Sequence, residues 1–320
     1  MNIKLKKIAL SAAIGLAALT SGMAQAETFP EKEVTVVVNY GAGGGTDLST
    51  RSLAEAMEEA LGKPLKVVNR SGGSGTVGPT FVAFADNDGY TIGVTSFSPM
   101  AVTPHMQDVP YKVDSFRYLG GFARYLTGIA VPADSPYKTT QDLIDAAKSG
   151  ANIKYGAASS IESVAITRLA TAAGVEFKWI RYKSGQEVST AALSKEVDVI
   201  VGDPKEIAPF VKTGEMRAIA SASNVRLPGL PDVLTLKEQG FDVATESYAG
   251  IAAPAGIDED KAAILEAAMK EAFKAQSFQD TLTKLGLEPA YFSGAEYQKL
   301  IEDGFADMGA DLAALGITKK

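Results

Sequence analysis

Val34-Thr-Val-Val-Val38 runs into Asn39-Tyr-Gly-Ala-Gly-Gly-Gly-Thr-Asp47, and this join decides the fold. A β-branched run of that kind favours a strand buried on both faces. The small residues after it suit a tight turn. Leu48 to Leu61 then reads as a helix, with Leu48, Leu53, Met57 and Leu61 near one face, and Gly62 stops it. The unit recurs. Leu65-Lys-Val-Val-Asn69 leads through Arg70-Ser-Gly-Gly-Ser-Gly-Thr76 to a helix near 77–85, and Thr91-Ile-Gly-Val-Thr95 is a third strand. Strands alternating with helices predict α/β architecture with mostly parallel sheets. Right-handed crossovers then bring every strand-to-helix turn to one edge.

A second series begins near Thr127. Strands are expected at 129–131, 153–155, 197–201 and 216–220, with helices at 140–148 and from about 160 to 173. After a strand at 249–253, three helices at about 258–275, 278–285 and 296–315 have too few strands for a sheet of their own. They are expected to return to the first domain. A chain of 320 residues is also long for one core. The expected division is domain 1 at 27–126 plus 247–320, with domain 2 inserted at 127–246.

Ahead of all this, Lys4, Lys6 and Lys7 precede an apolar run from Ile8 to Leu19, and small residues end in Ala24-Gln25-Ala26. That is the pattern of a cleaved secretory signal peptide, 1–26, with the mature chain starting at Glu27 in the periplasm. The run is too short for a comfortable membrane span, and no Cys is present to carry a lipid, so the mature protein is not expected to be membrane-anchored. Removal takes out three lysines and no acid, so the formal charge of −7 becomes −10. An acidic surface argues against nucleic acid as a partner. With no Cys and only His105, thiolate and multi-His metal sites are excluded, and no metal or cofactor is expected.

Three turns, 41–47, 72–78 and 156–163, set free backbone N–H groups at helix N-termini, which suits an anion without formal positive charge. Thr46, Ser74, Thr76, Ser159, Ser160 and Ser163 add hydroxyls. Gly turns also serve geometry alone, so it is their convergence at strand carboxyl ends that argues for a ligand cleft. A dinucleotide reading fails on the missing third glycine of 41–46 and on Asn69-Arg70 at the end of strand two. Ser135-Pro-Tyr-Lys138 and Lys212-Thr-Gly214 imitate acyl-enzyme motifs, but Pro136 keeps the serine off a helix and no G-x-S-x-G occurs. Asp47 and Arg51, spaced i,i+4, are expected to pair or to brace the first turn. Tyr40 and Tyr182 suit either domain packing or cleft walls.

The chain resembles the extracytoplasmic receptors of tripartite tricarboxylate transporters over essentially its whole mature length. The matching stretches are Tyr40 to Asp47 with Arg51, Asn69 to Gly75 with Gly78, and Asp88-Gly-Tyr-Thr91, followed by Arg226-Leu-Pro-Gly-Leu-Pro-Asp232, Glu238-Gln-Gly240 and Ala253-Pro254. The resemblance implies a two-domain, periplasmic binding protein-like (type II) fold that closes on a small organic carboxylate. It implies a non-catalytic monomer that delivers ligand to two integral-membrane transporter subunits. By position it implies first-domain contacts from Tyr40, Gly43, Gly44, Thr46, Asp47, Gly73, Ser74 and Thr76. Those from the second domain are Ala158, Ser159, Ser163, Tyr182 and Asp203. An exported serine hydrolase and a ligand-presenting sensor subunit are the alternatives. The chain departs from the family at Asn39, which stands where Pro is usual. Glu162-Ser163-Val-Ala165 replaces a turn that usually reaches His-Leu, and Val233-Leu234 replaces the usual Pro before Thr235. Asp203 suits a ligand bearing a hydrogen-bond donor, or else an N-cap role before Pro204.

Overall fold

The computed structural model describes residues 29–317 and Lys319; the expected signal segment lies outside the described residues. The chain opens with β1 (Val34–Val38), α1 (Gly45–Leu61), β2 (Leu65–Asn69), α2 (Val77–Ala83) and β3 (Thr91–Val94). Two helical turns, Ser98–Val102 and Thr103–Met106, lead to the long strand β4 (Phe116–Tyr125). The second lobe carries β5 (Gly128–Pro132), α3 (Thr140–Lys148), β6 (Lys154–Ala157), α4 (Ser160–Ala173) and β7 (Lys178–Arg181). It continues through α5 (Gly185–Leu193), β8 (Val199–Gly202), α6 (Pro204–Lys212) and β9 (Met216–Ser221). The chain returns with β10 (Ser247–Pro254), α7 (Glu259–Lys274), α8 (Gln276–Lys284), β11 (Glu288–Ser293) and α9 (Gly294–Ala314).

Two sheets result, ordered β11-β4-β10-β3-β1-β2 and β7-β6-β8-β5-β9. Sheet membership changes between Tyr125 and Gly128 and again between Ser221 and Ser247. The sheets are mixed, which corrects the expectation of mostly parallel ones. β1 pairs in parallel with β2 and β3, and β6 with β7 and β8. The strands next to the crossings run the other way: β10 is antiparallel to β3 and β4, and β5 is antiparallel to β8 and β9. A strand that arrives from the other lobe enters its sheet from the opposite end, so the βαβ rule does not govern it.

Each sheet is packed on both faces. Val36, Val38, Leu53, Met57 and Ile92 form one core with Phe122, Leu265, Met269 and Phe278 from the returning chain. In the second lobe Ile129, Val131, Leu143, Leu169, Val199 and Val201 do the same. Burying each such side chain contributes about 1.5–3 kcal/mol. Ile161 and Val164 of α4 belong to a first-lobe cluster with Phe97, Met100 and Tyr297, so one end of α4 is seated on the other lobe.

Candidate functional site

The carboxyl end of β1 passes into α1, which begins at Gly45, three residues before the expected start. Gly44 is the N-cap, at φ −74° and ψ 171°, with no side chain to cap with. The first N–H groups of a helix have no partner within it, so α1 presents an uncapped, positive end. Gly44, Gly45 and Thr46 line a narrow cleft between the lobes.

Asp47 sits behind this end and does not enter the lining. Its carboxylate accepts from Gly43 N–H at 2.9 Å and Asn69 Nδ2 at 2.8 Å, and it pairs with Arg51 at 2.9 Å. Burial alone would raise its pKa; Arg51, Gly43 N–H and Asn69 outweigh that and hold it below the ordinary value. Asp47 is fully engaged in fixing the turn.

The second Gly-rich turn supports the cleft from behind. Gly72, Gly73, Ser74 and Gly75 all have positive φ, a sequence of conformations that favours Gly. A Cβ on Gly75 would stand 2.7 Å from the Tyr40 hydroxyl, and one on Gly78 would stand 2.8 Å from Asn39 Cα. Asn39 Nδ2 donates to Gly75 O. The turn therefore holds the end of β1 and places Tyr40 in the cleft wall. Gly43, Gly73, Ser74 and Thr76 lie outside the lining, and the Ser74 hydroxyl is buried without a partner.

The opposite wall comes from the N-termini of α4 and α6. Ala158 and Ser159 line it, but both of their N–H groups donate to Glu162 Oε2, at 2.8 and 2.9 Å. The turn whose donors the sequence assigned to a ligand is thus satisfied by its own carboxylate. Asp203 N–H donates to Glu206 Oε2 at 2.9 Å in the same way. Asp203 occupies the N-cap position of α6, yet its side chain makes no cap hydrogen bond. Its Oδ2 instead lies 3.0 Å from where a Cβ on Gly45 would be, across the cleft. Ser163 bonds Ser160 O at 2.8 Å inside the second lobe, and Tyr182 packs against Gly156 and the second-lobe core. Neither lines the cleft.

Of the residues the sequence singled out, Tyr40, Gly44, Thr46, Ala158, Ser159 and Asp203 meet in this cleft. Sequence reasoning missed Glu162 and Glu206, which line it too. The signal was present: Ser159-x-x-Glu162 and Asp203-x-x-Glu206 are capping-box spacings. Burial, then the Glu206 charge, pushes the Glu162 carboxyl up to about 8, and burial raises Glu206 as well. Asp203 is raised by burial, then by Glu206 and Glu162. Burial and the Glu162 charge also raise Tyr40. Lys205 Nζ donates to Gly43 O across the lobes, and burial lowers its pKa. His105 stacks on Phe305 and bonds its carbonyl at 2.8 Å, away from the cleft.

Residues 49–317 match the family model of the tripartite tricarboxylate transporter family receptor. The chain belongs to that family. A relative from Cupriavidus necator, described as a UPF0065 protein in the gbd 5′ region, is 33 % identical over 315 residues, covering 97 % of this chain and 95 % of the relative. The periplasmic binding protein BugD is 27 % identical with a TM-score of 0.84, over 91 % of this chain and 100 % of that one. R. palustris Rpa4515, solved with adipate, is 25 % identical with a TM-score of 0.85, again over 91 % and 100 %. The receptor is therefore a periplasmic solute-binding protein with a two-lobed, type II-like fold, and not an enzyme. That removes the exported-hydrolase alternative.

Proposed function

We propose that this receptor captures a small organic carboxylate between its lobes and delivers it, as a monomer, to two membrane subunits of a tripartite-type transporter. The observation that carries the reading is the uncapped N-terminus of α1, opening through Gly44, Gly45 and Thr46 into the cleft. A ligand carboxylate there accepts from backbone N–H groups and sits at the positive end of the helix dipole. The adipate in the structure of the R. palustris relative supports it. The working division is domain 1 at 27–126 plus 247–320 and domain 2 at 127–246. The leader is cut after Ala26, so sequencing of periplasmic protein reads Glu27 first.

Thermal-shift measurements with mono-, di- and tricarboxylates and amino acids test the proposal. At least one acid should raise the melting temperature, while its amide and alcohol analogues leave it unchanged. If no acid of any class does so, the carboxylate reading falls.

A further inference from the structure

The wall facing the α1 N-terminus is acidic. Glu162, Asp203 and Glu206 all line the cleft, and no Lys or Arg lines it. We infer that the ligand is an aminocarboxylate, whose carboxylate meets the α1 N-terminus and whose ammonium is received by Asp203 in the negative field of Glu162 and Glu206. The inference rests on the carboxylate reading above and names the class of acid within it.

Several independent features support this assignment. Asp203 stands at an N-cap and declines to cap; its carboxylate faces Gly45 instead. An N-cap Asp ordinarily satisfies a free helix N–H; here the Glu206 N–H donates to the Asp203 carbonyl at 2.9 Å instead, which leaves the carboxylate unengaged. Glu162 and Glu206 each commit Oε2 to backbone N–H groups, and no hydrogen bond engages Oε1 of either. Thr127 and Ser247 line the same cleft, each more than nine-tenths buried, and neither hydroxyl has a hydrogen-bond partner among the described residues. The cleft thus offers unpaired acceptors opposite unpaired donors.

A ligand with a second carboxylate at this wall would meet like charge unless the acids were protonated. The two cases exchange protons with opposite sign. The acids are already held up in pKa by burial and mutual repulsion. The other charged or titratable groups acting there are Lys205, Tyr40, Tyr125 and Tyr248. An ammonium favours the ionised acids, so its binding releases protons. A second carboxylate favours the protonated acids, so its binding takes protons up.

Calorimetry in two buffers of different ionisation enthalpy reads that sign directly. The probes are α-amino acids of three to six carbons and a matched set of hexanoate, adipate and 6-aminohexanoate. We expect an aminocarboxylate to bind at least tenfold more tightly than the amine-free and dicarboxylate compounds of its length, with proton release. Asp203→Asn should abolish that preference. Glu162→Gln should weaken it while its amide oxygen keeps the α4 cap, which guards against loss of fold in the first variant. A preference for adipate with proton uptake would overturn the inference and leave the carboxylate receptor standing. So would an aminocarboxylate preference unchanged in both variants. Silence from every acid would remove the carboxylate reading as well.

Discussion

At Gly44 the backbone already has the conformation an N-cap residue takes, and a Cβ there would meet only Gly41 O, at 3.6 Å. Gly44→Asp therefore fits without strain. Asp is preferred over Gly at an N-cap, and negative charge at a helix N-terminus contributes about 0.3–1 kcal/mol. The melting temperature should hold or rise. Ligand affinity should collapse, because the new carboxylate takes the N–H groups the ligand uses. Two hydrogen bonds to a charged group at about 1.5–3 kcal/mol each correspond to a loss of a hundredfold or more, at about 1.4 kcal/mol per tenfold. Gly44→Ser, which caps without charge, should lose less. A folded Gly44→Asp variant that binds normally would place the carboxylate elsewhere. This residue was legible in sequence because a β-branched run followed by glycines has few structural meanings. Glu162 and Glu206 were not read, since glutamates on helices are so commonly solvated. Their partners are backbone N–H groups in their own turns, which a search for opposite charges passes over.

Capping by glutamate recurs along the second lobe as a property of its elements. α4, α5 and α6 each follow an N-cap residue, Ser159, Ser184 or Asp203, whose third successor is Glu, and Glu162, Glu187 and Glu206 all reach back to backbone N–H groups. Glu187 does this in the open, whereas Glu162 and Glu206 do it inside the cleft. With their folded pKa values raised toward about 8 and about 7, these two favour folding below the unfolded value near 4.5. That contribution is lost as pH rises through their folded values. Carboxyls with lowered pKa act in the opposite sense, but Glu238, held by Arg226 down to about 2, completes its change below the unfolded value. The ligand-free receptor should thus melt several degrees lower at pH 8 than at pH 5, and Glu162→Gln should flatten the difference. A melting temperature that rises over that interval would show that the two acids are ionised in the folded state. Elsewhere the legibility of elements followed their pattern. β1, β2 and β3 are short apolar runs beside clear turns. β4 was missed because Gly120 and Gly121 interrupt Phe116–Tyr125, and β11 because Pro289 breaks it. In β4 that interruption is required by packing: a Cβ on Gly121 would stand 2.8 Å from both Phe292 and Tyr297.

Across the whole molecule, the two lobes meet along the cleft mouth by direct contacts. Gly41 N–H donates to Lys183 O at 3.2 Å, Lys205 reaches Gly43 O, and Arg181 bonds Gln107 at 3.2 Å. Thr103 and Ser160 hydroxyls also bond across the lobes at 2.8 Å, next to the apolar seat of Ile161 and Val164. Polar contacts that water can replace, together with a buried apolar seat, suit opening about the seat. A ligand shifts such an equilibrium only by its differential affinity for the two states. Here that difference comes from the second wall, since the α1 N-terminus is available in both. Gly41 offers the means to separate the two states. A Cβ there would lie 3.0 Å from Ser184 Cβ of the other lobe, and Gly41 is not in the cleft lining. Gly41→Trp should wedge the mouth apart and leave the carboxylate subsite intact. Small-angle scattering should show the wild-type radius of gyration falling on ligand addition and that of Gly41→Trp staying constant. The variant should still bind, with affinity reduced to what the first wall alone supplies. If Gly41→Trp compacts like the wild type, the lobes do not pivot at this mouth. If it binds with wild-type affinity while open, the second wall contributes nothing to capture, and the acids of α4 and α6 serve their helices alone.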